Sequence, residues 1–356
     1  MFKETYKTAL NEYEKFWKRT NTKRPIVNMT YNIPGAKPYR DPITVEEKWL
    51  DIDYKYNFHK HRMKTTGHIA EGIPMRFSNY GPGCLAAAIG GDYKLAFNTV
   101  WFDSVQLVKD WEAPPNIAFD EDSPLWRNLK KEQERYSEDP DVHFSVTDIG
   151  GILDVVASLR GTENLLYDLY DYPEEVKEFS KQVRLEWDKA FAQQLKTVRE
   201  AGQPYNSWMN IPSSKPWYPL QCDFCYMISP EQFSEFVLPD LTAQVESMDR
   251  SIYHLDGEGE IRHLDMILDI PGLTGIQWTS GAGNSPLYSE KWLELYRRIQ
   301  DKKKNLVLLG AISEHDMVSA ERLCKSIDPV GVYFSIWAST KEKAEEIVES
   351  IEKWCE

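Results

Sequence analysis

The sequence predicts one α/β catalytic domain folded as a (β/α)8 TIM barrel with an N-terminal helical extension. Eight short runs of strand character recur along the 356 residues, at 25–33, 74–81, 143–149, 205–211, 251–256, 275–279, 305–311 and 331–337. Amphipathic helical stretches such as YSEKWLELYRRIQ and ISEHDMVSAERLCKSI separate the later runs. No G-x-G-x-x-G follows the first run, which removes the usual mark of a doubly wound dinucleotide-binding sheet.

The elements follow in chain order. Tyr6, Leu10, Tyr13 and Trp17 recur at spacings of four, three and four, so the first 20 residues form one helical face. NTKR breaks that pattern and PIVNMTYNI reads as the first strand, which sets the expected division into an extension over 1–24 and a barrel over 25–356. An irregular excursion rich in Pro, His and charge occupies 34–72, with a helix near 45–64. PMRFSNYGPG and HFSVTDIGG each read as a strand ending in glycines and followed by a helix. Pro173, with Glu174 and Glu175 in its first turn, opens a long helix that closes at Gly202. YNSWMNI reads as the fourth strand, followed by a long loop containing KPWYPLQCDF. Ser229-Pro230-Glu231-Gln232 has the pattern of a capping box with Pro in the first turn. Four strands and their helices complete the chain, the last helix placing Ala344, Ile347, Val348, Ile351 and Trp354 on one side.

Composition narrows the function. Fifty-six acidic residues against 42 basic ones leave a formal charge of −14, which argues against a nucleic-acid binder or an anionic-membrane binder. Five cysteines are too few for a disulfide scaffold, and the charged N-terminus lacks a signal-peptide core, so a cytoplasmic location is expected. No apolar run approaches the length of a membrane span. Twelve Trp and 19 Tyr fit either a well-filled core or a site for flat ligands.

A barrel keeps its chemistry at the C-terminal ends of its strands. Those ends carry Tyr80, Asp148, Trp208, Asn210, His254, Asp256, Gln277, Trp278 and Trp337. His254 and Asp256 stand two apart on one strand and so project to the same side, with Gly257 allowing a sharp turn. An imidazole beside a carboxylate can hold a divalent metal or act as an oriented acid/base pair. Glu258 and Glu260 read as solvated loop residues, and His59, His61 and His68 as surface residues of the excursion. Cys222-Asp223-Phe224-Cys225 is a lone CxxC without the second ligand pair that structural zinc requires, which makes Asp223 the more interesting member. The Gly81-Pro82-Gly83 and Gly281–Asn284 loops lack the Lys of a phosphate loop.

DFCYMISPEQFSEFVLPDL and SIYHLDGEGEIRHLDMILDIPGLTGIQW resemble the uroporphyrinogen decarboxylase superfamily, and within it the corrinoid-dependent methyltransferase branch. YGPGCLAAAIGGDY, SLRGTENLLYDLYDYPEEV and STKEKAEEIVESIEKW fit the same pattern, so the resemblance covers residues 70–354. It implies a barrel whose mouth receives a tetrapyrrole or a methyl donor. The Arg-rich N-terminal motif of the haem-pathway decarboxylase is replaced here by NMTYNIPGAKPYR, which disfavours that activity. Thiol-alkylating zinc methyltransferases carry H-x-C at the fifth strand and a Cys near the eighth. This chain has His254-x-Asp256 and Trp337-Ala338-Ser339.

The resemblance then implies the first component of a demethylation system. It would move a methyl group from a small methoxylated or methylated compound to the cobalt of a corrinoid (cobalamin) on a separate carrier protein. His254 and Asp256, alone or through Zn2+, would assist the leaving atom, with Asp223 nearby. Tyr80, Trp208, Trp278 and Trp337 would wall the substrate, and Asp148, Asn210 and Gln277 would contact it. Two alternatives stay open: a decarboxylase or lyase using Asp223 or Asp256 as its acid, and a second component passing methyl from methyl-corrinoid to an acceptor. The chain lacks the Asp-x-His-x-x-Gly signature of a cobalt-carrying domain.

Overall fold

The computed structural model describes residues 2–102 and 106–355. Seven strands form a mixed sheet: β1 (Ile26–Asn32), β2 (Thr66–Ala70), and later β5 (Trp217–Leu220), β6 (Arg250–Asp256), β7 (Gly275–Thr279), β8 (Asn305–Leu309) and β9 (Val332–Ala338). A separate two-stranded ribbon joins β3 (Lys94–Leu95) to β4 (Val100–Trp101). The sheet order is β2-β1-β9-β8-β7-β6-β5, parallel throughout except where β2 runs against β1. The described ladders leave β2 and β5 as edges, so they form a mostly parallel sheet in which the expected closed ring is not drawn.

The first strand and the last four occur where the sequence placed them. The segments 74–81 and 143–149 form no ladder among the described residues beyond the isolated parallel bridge Arg76↔Phe144. Its bonds run from Arg76 N–H to the His143 carbonyl (2.7 Å) and from Ser145 N–H to the Arg76 carbonyl (3.0 Å).

The expected strand at 205–211 is instead a turn. The Asn206 side chain accepts the Ser207 N–H (2.9 Å), the Ser207 hydroxyl accepts the Met209 N–H (3.3 Å), and Asn210 adopts φ +54°. Side chains of this kind offer backbone N–H groups a local alternative to a ladder. The strand that pairs with β6 is β5, inside the stretch read as a loop. The excursion likewise contains more order than expected: helices Val45–Leu50 and Ile52–Thr65, then β2, which pairs residues 66–70 with 32–28 of β1.

Alternation along the strands divides the core. Val27, Leu255, Ile276, Trp278, Leu308 and Phe334 pack on the face covered by the connecting helices. Ile26, Ile252, Val307 and Tyr333 point the other way and meet Tyr13, Phe16 and Trp17 of the N-terminal helix Phe2–Trp17. That helix is therefore part of the core: the Trp17 indole donates to the Pro212 carbonyl (3.0 Å) and its ring meets Trp217 edge-on at 5.0 Å. The long helix Pro173–Glu200 and the capping box at Ser229 form as the sequence indicates. Among the described residues no helix is long and apolar enough to cross a membrane.

Candidate functional site

The end of β6 and the segment after β5 bring three ligand-type side chains together. One atom each of Asp223, His254 and Asp256 lies within 4.8 Å of the others. His254 and Asp256 reach the same side because they stand two apart on β6, and His254 Nε2 lies 3.9 Å from Asp256 Oδ2. Gly257 then takes φ +82°, which frees the chain to turn immediately after Asp256.

The parallel register sets His254 beside Gln277. The Gln277 amide donates to the Trp278 carbonyl and to the Thr279 hydroxyl, each at 2.8 Å, so its oxygen faces His254 Nδ1 in a close hydrogen bond. Nδ1 therefore carries a proton, and Nε2 is turned toward Asp256. The Trp208 ring closes one side of the imidazole, edge-on at 5.2 Å.

Asp223 is held from below. Asp154, in the first turn of the helix Ile152–Arg160, accepts the backbone N–H groups of Asp223 (3.1 Å) and Phe224 (2.8 Å). A β-carbon at Gly151 would lie 2.2 Å from the Gln221 carbonyl oxygen, so only glycine lets this helix start approach that loop. Asp148 accepts the Gly150 N–H (3.0 Å) and the Tyr218 hydroxyl (3.1 Å).

The acids crowd each other. Burial, then repulsion from Asp223, raises Asp154 to about 7, and burial raises Asp148 to about 6. Asp223 is exposed to solvent at the side of the cleft, where neighbouring groups displace part of its hydration. That desolvation raises its carboxyl, His254 opposes the rise, and repulsion from Asp256 adds to it. Burial likewise raises Glu260 to about 11. A cation placed among Asp223, His254 and Asp256 would relieve this repulsion. One neutral imidazole and two carboxylates are a fitting donor set for a divalent ion with a position left open.

A cleft of about 360 Å³ opens beside Asp223. Trp101, Phe102, Phe224 and Met227 supply its apolar wall, the Pro82–Gly83 loop one rim, and Asp154 and Asp223 its charged side. No Lys or Arg lines it among the described residues.

The expected site residues divide accordingly. His254, Asp256, Asp223, Gln277 and Trp208 come together, and Asp148 lies behind them. Trp278 does not join them: it is one residue from Gln277 and so faces the opposite side of the sheet, fully buried against Trp292. Tyr80 is also fully buried, its hydroxyl accepting from the Asn128 amide (3.0 Å) and its ring beneath Lys55, so it walls no cleft. Asn210 bonds the Ile73 carbonyl (3.0 Å) and lines a different pocket. Trp337 is exposed at the end of β9.

Glu260 is not a solvated loop residue. It is fully buried and accepts the Asp256 N–H (3.2 Å). Cys222 and Cys225 are buried, with Cys225 Sγ 3.7 Å from the Tyr253 hydroxyl. Asp154 went unnoticed in the sequence, where its only signal is an acid in the first turn after two glycines.

No protein-family model and no curated protein matches the sequence. The solved structure of a methyltransferase from Methanosarcina mazei is similar, with a TM-score of 0.61 over 97% of this chain and 98% of that chain, at 13% sequence identity. At that identity the likeness establishes a shared α/β fold.

Proposed function

We propose that this chain is a methyltransferase. In this reading a small methoxylated or methylated donor binds in the cleft beside Asp223, and its methyl group passes to the cobalt of a corrinoid presented by a separate protein. The observation that carries the proposal is the Asp223–His254–Asp256 cluster at strand ends, whose Asp223 also lines an aromatic-walled cleft. The shared fold with a methyltransferase supports it. The segments 74–81 and 143–149, bridged at Arg76 and Phe144, would complete the barrel wall around this site.

Transfer of a methyl group leaves charge on the donor's oxygen or nitrogen, and that atom needs stabilisation. Gln277 fixes the His254 ring so that Nε2 is turned toward Asp256. Asp256 and Asp223 then hold either a proton on His254 or a divalent ion beside it. A bound Zn2+ would be held by these three residues and would supply Lewis acidity to the leaving atom. Oxygen ligands at 223 and 256, without cysteine, suit an oxygen leaving group better than a thiolate. Trp101, Phe102 and Phe224 offer flat apolar surface to an aromatic donor.

The test mixes the chain with Co(I) corrinoid and a panel of methoxyaromatics and methylamines, following methyl-Co(III) by absorbance. Turnover with at least one donor is expected, falling by about 100-fold or more in His254→Ala. No methylation with any donor, or full activity without His254, sinks the proposal.

A further inference from the structure

The excursion builds a second pocket, of about 240 Å³, between the helix Ile52–Thr65, β2 and the segment 73–77. Its polar lining includes His59 and Arg62 from one helix face, His68 from β2, Arg76 from the segment 73–77, Thr30 from β1, and Asn210. Register sets His68 directly opposite Thr30. Among the described residues no carboxylate lines this pocket, in a chain whose formal charge is −14.

The local charge is positive. Glu132 lies behind the pocket and must serve two cations: it pairs closely with Lys55 and lies 3.6 Å from Arg76. One carboxylate against Lys55 and Arg76 leaves a net positive charge, to which Arg62 adds a second, having no acidic partner among the described residues. The imidazoles are neutral, because burial pushes His59 down to about 3 and His68 to about 4. Both rings carry an unmet nitrogen. His59 is only 5% exposed and its Nε2 has no partner, and His68 Nδ1 has none either. Buried polar atoms of this kind are costly and call for a partner.

We propose that this pocket is an oxyanion site, taking a carboxylate or phosphate group of a small ligand between Arg62 and Arg76, with the imidazoles of His59 and His68 as neutral hydrogen-bond partners. None of its lining residues belongs to the Asp223–His254–Asp256 cluster, and the proposal holds whether or not the chain transfers methyl groups.

The full-length chain, labelled at histidine, is titrated at constant ionic strength with inorganic phosphate and separately with acetate, by calorimetry and by imidazole NMR. Saturable one-site binding is expected with at least one anion. Phosphate alone would assign a phosphate group, and acetate a carboxylate. The His59 and His68 resonances should move while that of the exposed His315 stays. Arg62→Gln, which alters an exposed side chain and leaves the core intact, should bind about tenfold more weakly. Arg76→Lys, which keeps the charge but loses the guanidinium fork, should also weaken binding. The proposal is overturned if neither anion saturates, if the shifts fall on histidines other than 59 and 68, or if Arg62→Gln binds like the parent chain.

Discussion

Glu260→Gln should stabilise the protein, increasingly so as pH rises. The Glu260 side chain is fully buried, one oxygen accepts the Asp256 N–H at 3.2 Å, and the other has no partner. Burial, with Cys225, Asp223 and Asp154 nearby, raises its pKa from the ordinary 4.5 to about 11. The folded chain therefore holds a proton that the unfolded chain has released throughout the window between those values. Since the folded pKa is the higher, unfolding gains about 1.4 kcal/mol per pH unit above 4.5 from this group. At pH 7 that is about 3 kcal/mol, and the figure depends only on the folded pKa lying well above 7. Glutamine has nearly the same shape and no proton to lose, so the replacement removes the penalty. Urea unfolding of both chains with chelator present, at several values between pH 5 and 8, reads the difference directly. It should be below about 1 kcal/mol at pH 5 and widen by about 1.4 kcal/mol with each further unit. A difference that ignores pH, or a variant that becomes relatively less stable as pH rises, would refute the reasoning and mean that Glu260 is ionised in the fold.

Two further outcomes follow from neighbouring contacts. Gln277→Leu removes the acceptor that fixes the His254 ring, so Zn2+ affinity measured by competition with a chromophoric chelator should fall about 10–100-fold while the melting temperature changes little. Equal affinity would detach Gln277 from the site. Lys55→Met leaves Glu132 in the core with the Tyr136 hydroxyl and only the more distant Arg76 as a cation, so denaturant titration should show a loss of about 3–5 kcal/mol. A neutral outcome would show that Glu132 takes up a proton instead.

Legibility in the sequence followed the range of the interaction. The helix over 173–200 and the capping box at Ser229 depend on neighbours within a few residues, and both form as expected. Strands β6 to β9 were legible because each is a short apolar run bounded by turn residues. YNSWMNI carried the same apolar signal, but its Asn and Ser side chains capture nearby backbone N–H groups, and a turn wins. Strand β5, with Pro219 in it, read as loop and is a strand only because β6 lies alongside. Trp278 was misplaced for a similar reason: its strand was recognised, but which face met the helices was not local information.

The sequence by itself determined the α/β class, the order of the later strands, and the pairing of His254 with Asp256 on one side of β6, since a period of two needs no partner. The tertiary structure alone decided what surrounds that pair. Bringing Asp223 to it requires Asp154 to hold a loop from another part of the chain, and orienting the imidazole requires Gln277 from the adjacent strand. Burial of Glu260, and the gathering of Arg62, Arg76, His59 and His68 into one pocket, likewise depend on distant segments excluding water together. Charge and hydrogen-bonding capacity are written in residue identity, but desolvation and mutual distance are set only when the chain has packed.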